Sequence, residues 1–296
     1  MSLLRLKDGT ELYYKDTDPE GTGRDTVVFL HGWTSSHQIF DLPVKALSAR
    51  ARCITYDHRG HGETAKANRE EASEAGNGTG EGRDPAEPVT IGMLAEDLRE
   101  LMTAIDVERP VLFGWSMGAQ VVMEYLKRYG DDDLRQVVLC DMAPRLLNDA
   151  EWTLGLKKGT YTRADMEAEQ NMEFMDIYRA FSVACVPWLE KVPGHFLGRS
   201  LDRMLKDCDQ AVLRNLSDSM LSGDYRDLVP KIRKPFTYFY ADPGSLFSPA
   251  LTVWYREHVA EEAAFRAVRF PNCTHMLIAE KPRKFTDEIT RLLNTR

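Results

Sequence analysis

The chain has 296 residues, 43% of them hydrophobic, and a formal net charge of -8. That length suits one large α/β domain, or a core domain carrying an insertion, and buries a core without disulfide or metal staples. The charge is spread along the chain with no Lys/Arg stripe, which excludes a nucleic-acid footprint, and the five cysteines are odd in number with no C-x-x-C pair, which excludes a disulfide framework or zinc ribbon.

The opening MSLLRLKDGTELYYKD is broken by charge and lacks the apolar core of a signal peptide, and no apolar run approaches the roughly 20 residues that span a bilayer. A cytoplasmic protein without a membrane partner is expected. Within this opening, LLRL and TELYYK flank Asp8-Gly9, the turn pair of an antiparallel hairpin. TVVFL follows as a short continuous apolar run, the pattern of a strand buried on both faces. Similar runs recur as RCITY, PVLFG, RQVVLC, PFTYFY and AFRAVRF, separated mostly by helical patterns such as TIGMLAEDLRELMTAI and GAQVVMEYLKRYG. The alternation predicts a doubly wound, mostly parallel sheet of eight strands.

Two segments interrupt that alternation. Ala65 to Pro88 is rich in Gly, Glu and Pro and reads as a surface loop. Residues 145–229 show helical periodicity without a clear strand, in ADMEAEQNMEFMDIYRAF and GRSLDRMLKDCDQAVLRNL. They read as a helical cap inserted after the sixth strand of a core made of residues 1–144 and 230–296. Sites in such sheets lie at the carboxyl ends of the strands, so the cap is expected to cover the site as a lid.

Gly114-Trp115-Ser116-Met117-Gly118 lies between a strand and a helix, the setting in which G-x-S-x-G carries chemistry. The turn lifts a serine hydroxyl clear of the sheet above a helix N-terminus, where free N–H groups favour developing negative charge. The competing reading is a glycine-lined turn with a serine cap. An acyl-transfer site also needs two convergent amides. The amide of Met117 is one candidate, and the amide of Trp33, after His31-Gly32 at the end of a buried strand, is the other. Of seven histidines, His275 in PNCTHMLIAEKP follows the last strand and falls at the same sheet edge as Ser116. His58 and His61 sit in a structured turn, His195 in the cap, His258 in a helix, and His37 beyond the His31 loop.

Taken together, HGW, DHRGHGET, GWSMGA, the inserted helices and the late NCTHMLIAEKPRKF resemble the α/β-hydrolase fold superfamily over nearly the whole chain. Within it the chain is similar to the esterase-like group related to cofactor-free haloperoxidases and perhydrolases. The resemblance implies Ser116 as nucleophile, His275 as general base and acid, and the Trp33 and Met117 amides as oxyanion hole. Haloalkane dehalogenases and epoxide hydrolases of this fold are excluded, because they carry aspartate at the elbow.

One position departs from the pattern. Family members commonly place the third triad residue in P-x-x-x-x-x-G-x-x-D, and here that position is Gly244. Two aspartates are candidates: Asp141, directly after the sixth strand, and Asp242, just before Pro243. Asp141 is preferred because a strand terminus positions a side chain more rigidly than a loop does. Asp57 and Arg59 are read as holding the turn after the fourth strand.

Expected pocket walls are His31, Trp33, Trp115, Met117 and cap residues such as Trp152, Met172, Phe174, Met175, Phe181 and Trp188, of which only one or two cap side chains are expected to face substrate. The leading expectation is a serine hydrolase for a small to medium carboxylic ester. Perhydrolysis or carbon–carbon cleavage by the same residues, or a ligand-binding protein with a vestigial triad, are the alternatives. No metal cluster, P-loop or G-x-G-x-x-G junction is present, so no cofactor and no metal are expected, only a small-molecule substrate. The sequence carries no signal of oligomeric state.

Overall fold

The computed structural model describes residues 2–74 and 87–294. Its strands are β1 (Ser2–Arg5), β2 (Glu11–Asp16), β3 (Thr26–Leu30), β4 (Arg52–Tyr56), β5 (Val111–Trp115), β6 (Gln136–Cys140), β7 (Phe236–Gly244) and β8 (Arg266–Thr274). Its helices are α1 (Asp41–Leu47), α2 (Gly62–Glu74), α3 (Ile91–Ala104), α4 (Met117–Tyr129), α5 (Leu156–Gly159), α6 (Arg163–Glu169), α7 (Phe174–Cys185), α8 (Gly194–Leu205), α9 (Gln210–Ser222), α10 (Ala250–His258), α11 (Leu277–Glu280) and α12 (Pro282–Asn294).

The strands form one eight-stranded sheet in the order β1-β2-β4-β3-β5-β6-β7-β8, antiparallel across β1, β2 and β4 and parallel from β4 onward. Every residue of β3 to β6 is buried. Because side chains alternate along a strand, Val28, Leu30, Leu112, Val137 and Leu139 join the core beneath α3 and α4. Val27, Phe29, Phe113, Val138 and Cys140 join the core on the other face, where α12 supplies Phe285, Ile289 and Leu292. Those last three recur at helical spacing on one stripe, and this explains why a helix with a charged outer face docks there.

The Asp8-Gly9 hairpin forms, with Gly9 at φ 86° and Leu6 N–H donating to the Thr10 carbonyl at 2.8 Å. Ala65 to Glu74, expected as loop, is instead the body of α2. The remainder of that expected loop, residues 75–86, lies outside the described residues. Polar contacts hold α2: Asn68 exchanges hydrogen bonds with the Glu11 backbone, and Thr64 Oγ1 accepts from Tyr13 N–H at 2.9 Å and donates to the Asp57 carbonyl. A helix anchored this way needs no apolar stripe, so hydropathy does not reveal it.

Between β6 and β7 the chain runs through α5 to α9. The two long periodic stretches each break into a pair, α6 and α7, then α8 and α9; Asp209 ends the second break by accepting from the Ala211 and Val212 amides. These helices reach the loops at the carboxyl ends of β3 and β4. Trp33 Nε1 donates to the Leu213 carbonyl at 2.9 Å, Asp209 N–H donates to the Gly60 carbonyl at 2.8 Å, and a Cβ at Gly60 would lie 2.4 Å from Val212. Among the described residues no helix is long and apolar enough to cross a membrane.

Candidate active site

Ser116 joins β5 to α4 at φ 54° and ψ -123°, a conformation that L-residues adopt only under constraint. The constraint is packing: a Cβ at Gly114 would lie 2.4 Å from the Gly118 carbonyl oxygen, and one at Gly118 would lie 2.3 Å from that of Leu30. Both glycines are therefore required for α4 to start against β3. The Ser116 side chain makes no capping bond to α4, which removes the reading of this serine as a helix cap. Its backbone N–H donates to the Cys140 carbonyl at 3.0 Å, fixing the elbow beside the end of β6.

Asp141, one residue beyond β6 and fully buried, has a positive φ of 48° and turns its carboxylate toward His275. His275 Nδ1 lies 2.7 Å from Asp141 Oδ2, so the ring donates from Nδ1 to a carboxylate that is acceptor-only when ionised. The second oxygen, Oδ1, accepts from Ser245 Oγ at 2.7 Å and from the Ala241 amide at 3.3 Å. His275 Nε2 is buried and has no partner among the described residues. The imidazole is further held by Trp115, whose ring lies 5.4 Å from it and whose Nε1 donates to the His275 carbonyl at 3.1 Å.

Gly244, the position where relatives carry the acid, has no room for any side chain: a Cβ there would lie 2.6 Å from the Cys273 carbonyl oxygen and 2.7 Å from Thr274 Cα. Asp242 points elsewhere and accepts from Arg269 Nε at 2.5 Å on the half-exposed outer part of β7 and β8. Ser245, which buttresses Asp141, carried no signal in the sequence, since a serine after glycine in a loop is commonplace.

A Cβ at Gly32 would stand 3.0 Å from Ser116 Cβ, so the loop after β3 passes directly against the elbow. This brings the Trp33 backbone near the first turn of α4, where the Met117 amide has no intrahelical acceptor. The loop is fastened by buried histidines. His31 Nδ1 donates to the Gly32 carbonyl at 2.8 Å and Nε2 accepts from His58 N–H at 3.0 Å; His61 Nε2 accepts from Thr34 N–H at 3.1 Å. Burial holds all three imidazoles below the usual histidine value, His61 to about 4. Asp57 accepts from the backbone and ring of His37 and from Glu63 N–H. Arg59 forms a bidentate pair with Asp97 at 2.6 Å and reaches Asp8. As expected, these two charges hold the turn and stay outside the cavity.

That cavity, of about 80 Å³, opens at Ser116 and is walled by Trp33, Met142, Leu146, Tyr161, Ile177, Phe181 and Phe247 among others. Of the expected wall residues, Trp33 and Phe181 face it. Trp115, His31, Trp152 and Met117 do not, nor do the cap residues Met172, Phe174, Met175 and Trp188, and the expectation for the first four is corrected. Trp115 belongs to the core on the opposite face of the sheet, His31 is enclosed by its loop, and Trp152 packs on Trp254 with its Nε1 donating to the Arg145 carbonyl. Lys157, Tyr161, Glu169 and Ser217 also line the cavity, and sequence reasoning missed them. A wider surface cleft, lined by Arg24, Arg52, Arg109 and Arg266, lies at the amino ends of the strands, away from Ser116.

Comparison with known proteins agrees with this architecture. The chain is 31% identical over 148 residues to a non-heme chloroperoxidase of Kitasatospora aureofaciens, covering 50% of this chain and 46% of that protein. It thus spans about half the length of the curated relatives it matches. An esterase from Exiguobacterium antarcticum superposes with a TM-score of 0.76 at 19% identity, covering 99% of both chains. A bromoperoxidase from Bacillus anthracis gives 0.75 at 20% identity, again covering 99% of both. Over residues 27–288 the chain matches the alpha/beta hydrolase family, and it belongs to that family.

Proposed function

We propose that this protein is a serine hydrolase acting on small carboxylic esters through Ser116, His275 and Asp141. The observation that carries the reading is the 2.7 Å contact between His275 Nδ1 and Asp141 Oδ2, which leaves His275 Nε2 as the free basic nitrogen at the sheet edge that holds Ser116. In the neutral ring Nδ1 carries the proton, so Nε2 offers its lone pair. Ser116 Oγ attacks the ester carbonyl as His275 Nε2 takes its proton, and Asp141 stabilises the imidazolium that forms. The oxyanion is received by the Trp33 and Met117 amides, and the alcohol leaves with the proton from His275. Water, activated by the same nitrogen, then releases the acid. Residues 145–229 act as the lid that closes the cavity. With Asp141 placed against His275, the missing carboxylate at position 244 lends no support to a ligand-binding protein without turnover.

The test is hydrolysis of p-nitrophenyl acetate and butyrate by wild type, Ser116→Ala, Asp141→Asn and Asp242→Asn, each checked for folding. Asp141→Asn is expected to lose about 10⁴-fold and Ser116→Ala on the order of 10⁶-fold in kcat, the scale seen when a triad aspartate or the nucleophile is removed. Asp242→Asn, whose partner is Arg269, is expected to stay within a few fold. A loss confined to Asp242→Asn would reassign the acid, and a wild type no faster than Ser116→Ala would remove the ester reading.

A further inference from the structure

Glu169 sits in the wall of a cavity otherwise lined mainly by Trp33, Leu146, Ile177, Phe181 and Phe247. A carboxylate against apolar walls is unfavourable unless it is paired. Here Tyr161 Oη donates to Glu169 Oε2 at 2.6 Å, and Lys157 Nζ lies 3.7 Å from Oε1 and 4.7 Å from the Tyr161 ring centroid. Glu169 does nothing for its own helix. It is the last residue of α6, where the macrodipole disfavours an anion, while the N-terminus is already closed by the Thr162–Asp165 capping box.

The loop that presents Lys157 and Tyr161 is held at a cost. Lys157 and Lys158 both adopt left-handed backbone, at φ 51° and 53°, which lysine rarely does. Gly155 and Gly159 have no space for a Cβ, and the Asn148 side chain bonds Gly155 N–H and the Leu156 and Tyr161 carbonyls. Tyr161 is anchored on both sides of its backbone: its carbonyl also accepts from Asn148 N–H at 2.9 Å, and its N–H donates to the Leu156 carbonyl at 3.3 Å.

The arrangement has a definite ligand chemistry. Burial and then Glu169 keep the Tyr161 phenol protonated, so its proton is committed to the carboxylate and its oxygen accepts. Glu169 Oε1 has Lys157 beyond hydrogen-bond distance and keeps accepting capacity. Lys157 and Glu169 together carry no net charge, so a charged substrate group of either sign gains little from the pair, whereas a neutral hydroxyl can donate to Glu169 Oε1. The cavity of about 80 Å³ limits that hydroxyl to a short group. We propose that Tyr161 and Glu169, with Lys157 beside them, make this site selective for small esters carrying a neutral hydroxyl on the group that enters the cavity. This rests on the serine-hydrolase reading above.

The experiment compares isosteric ester pairs by acid release, so that hydroxyl replaces methyl. Methyl 3-hydroxybutyrate against methyl 3-methylbutyrate reports an acyl hydroxyl, and 2-hydroxyethyl butyrate against propyl butyrate reports an alcohol hydroxyl. Wild type is expected to favour the hydroxylated member in kcat/KM by about tenfold in one pair, the scale of a hydrogen bond to a charged acceptor. Glu169→Gln and Tyr161→Phe are each expected to lower that ratio several-fold, whatever happens to the absolute rates. A wild-type ratio at or below one in both pairs overturns the proposal. So does a ratio unmoved in both variants while both rates fall together, since Tyr161–Glu169 would then only fasten the lid. If wild type cleaves none of the esters faster than Ser116→Ala, the hydrolase reading fails, and this one with it.

Discussion

Ser116 is held at φ 54° and ψ -123° by the close packing of Gly114 and Gly118. Such a residue stores on the order of 1–3 kcal/mol of strain. Ser116→Gly is expected to relieve it, offset by the about 0.5–1 kcal/mol of extra backbone entropy that glycine brings to the unfolded chain. The net expectation is a variant about 1 kcal/mol more stable, with Tm raised by roughly 2 °C, while Ser116→Ala, with the same Cβ, leaves Tm unchanged. Scanning calorimetry of the three proteins checks this; no gain for glycine would mean the elbow is unstrained. The elbow was legible at this scale because its glycines are adjacent in sequence. The partner of His275 was legible only as a choice between Asp141 and Asp242, because the exclusion of a side chain at Gly244 comes from Cys273 and Thr274 on another strand.

Two loops, after β3 and after β4, meet through buried histidines, and their titration belongs to that pair of elements. His31, His58 and His61 are held neutral by burial, with folded values below the ordinary histidine value and His61 at about 4. Between those values and the unfolded value of about 6.5 the unfolded chain binds more protons, so stability is full above about pH 6.5 and falls as pH drops below it. Asp57 acts in the same direction but only at lower pH, below about 3.9: burial would raise it, yet the hydrogen bond from His37 holds it below its usual value. Asp97 acts oppositely, since burial raises it to about 6 in spite of Arg59, but it is one group against three. Urea midpoints are therefore expected to fall between pH 7.5 and pH 5. His58, with neither ring nitrogen partnered among the described residues, is the cleanest probe. His58→Phe is expected to flatten that dependence by up to about 1.4 kcal/mol per pH unit, and an unchanged slope would assign it to other groups. The motif DHRGHGET announced a structured turn; that its histidines would meet His31 depended on β3 lying beside β4.

At the level of the whole molecule, residues of the inserted helices wall a cavity of about 80 Å³ that Ser116 also lines, about half the engineered cavity of roughly 150 Å³ that admits benzene. Short acyl groups are accordingly expected, with kcat/KM for p-nitrophenyl acetate and butyrate at least about tenfold above octanoate, since added methylenes overpack the wall. Phe181→Ala, which enlarges the wall, is expected to move the optimum to longer chains. A flat or rising wild-type profile would show that the lid opens to admit longer groups.

By itself the sequence determined the eight strands, the elbow, the late histidine and the position of the inserted helices. Each of these is written in neighbouring residues, as an unbroken apolar run, a glycine spacing or a helical period. The tertiary structure decided which aspartate faces His275, that Ser245 supports it, and that Trp33 and Phe181 line the cavity while Trp115, His31 and Trp152 do not. It also decided that Tyr161 and Glu169 meet in the wall of the cavity that Ser116 lines. The reason is physical: periodicity marks a face as apolar without saying what that face meets, and space at one residue is set by atoms far away in the chain.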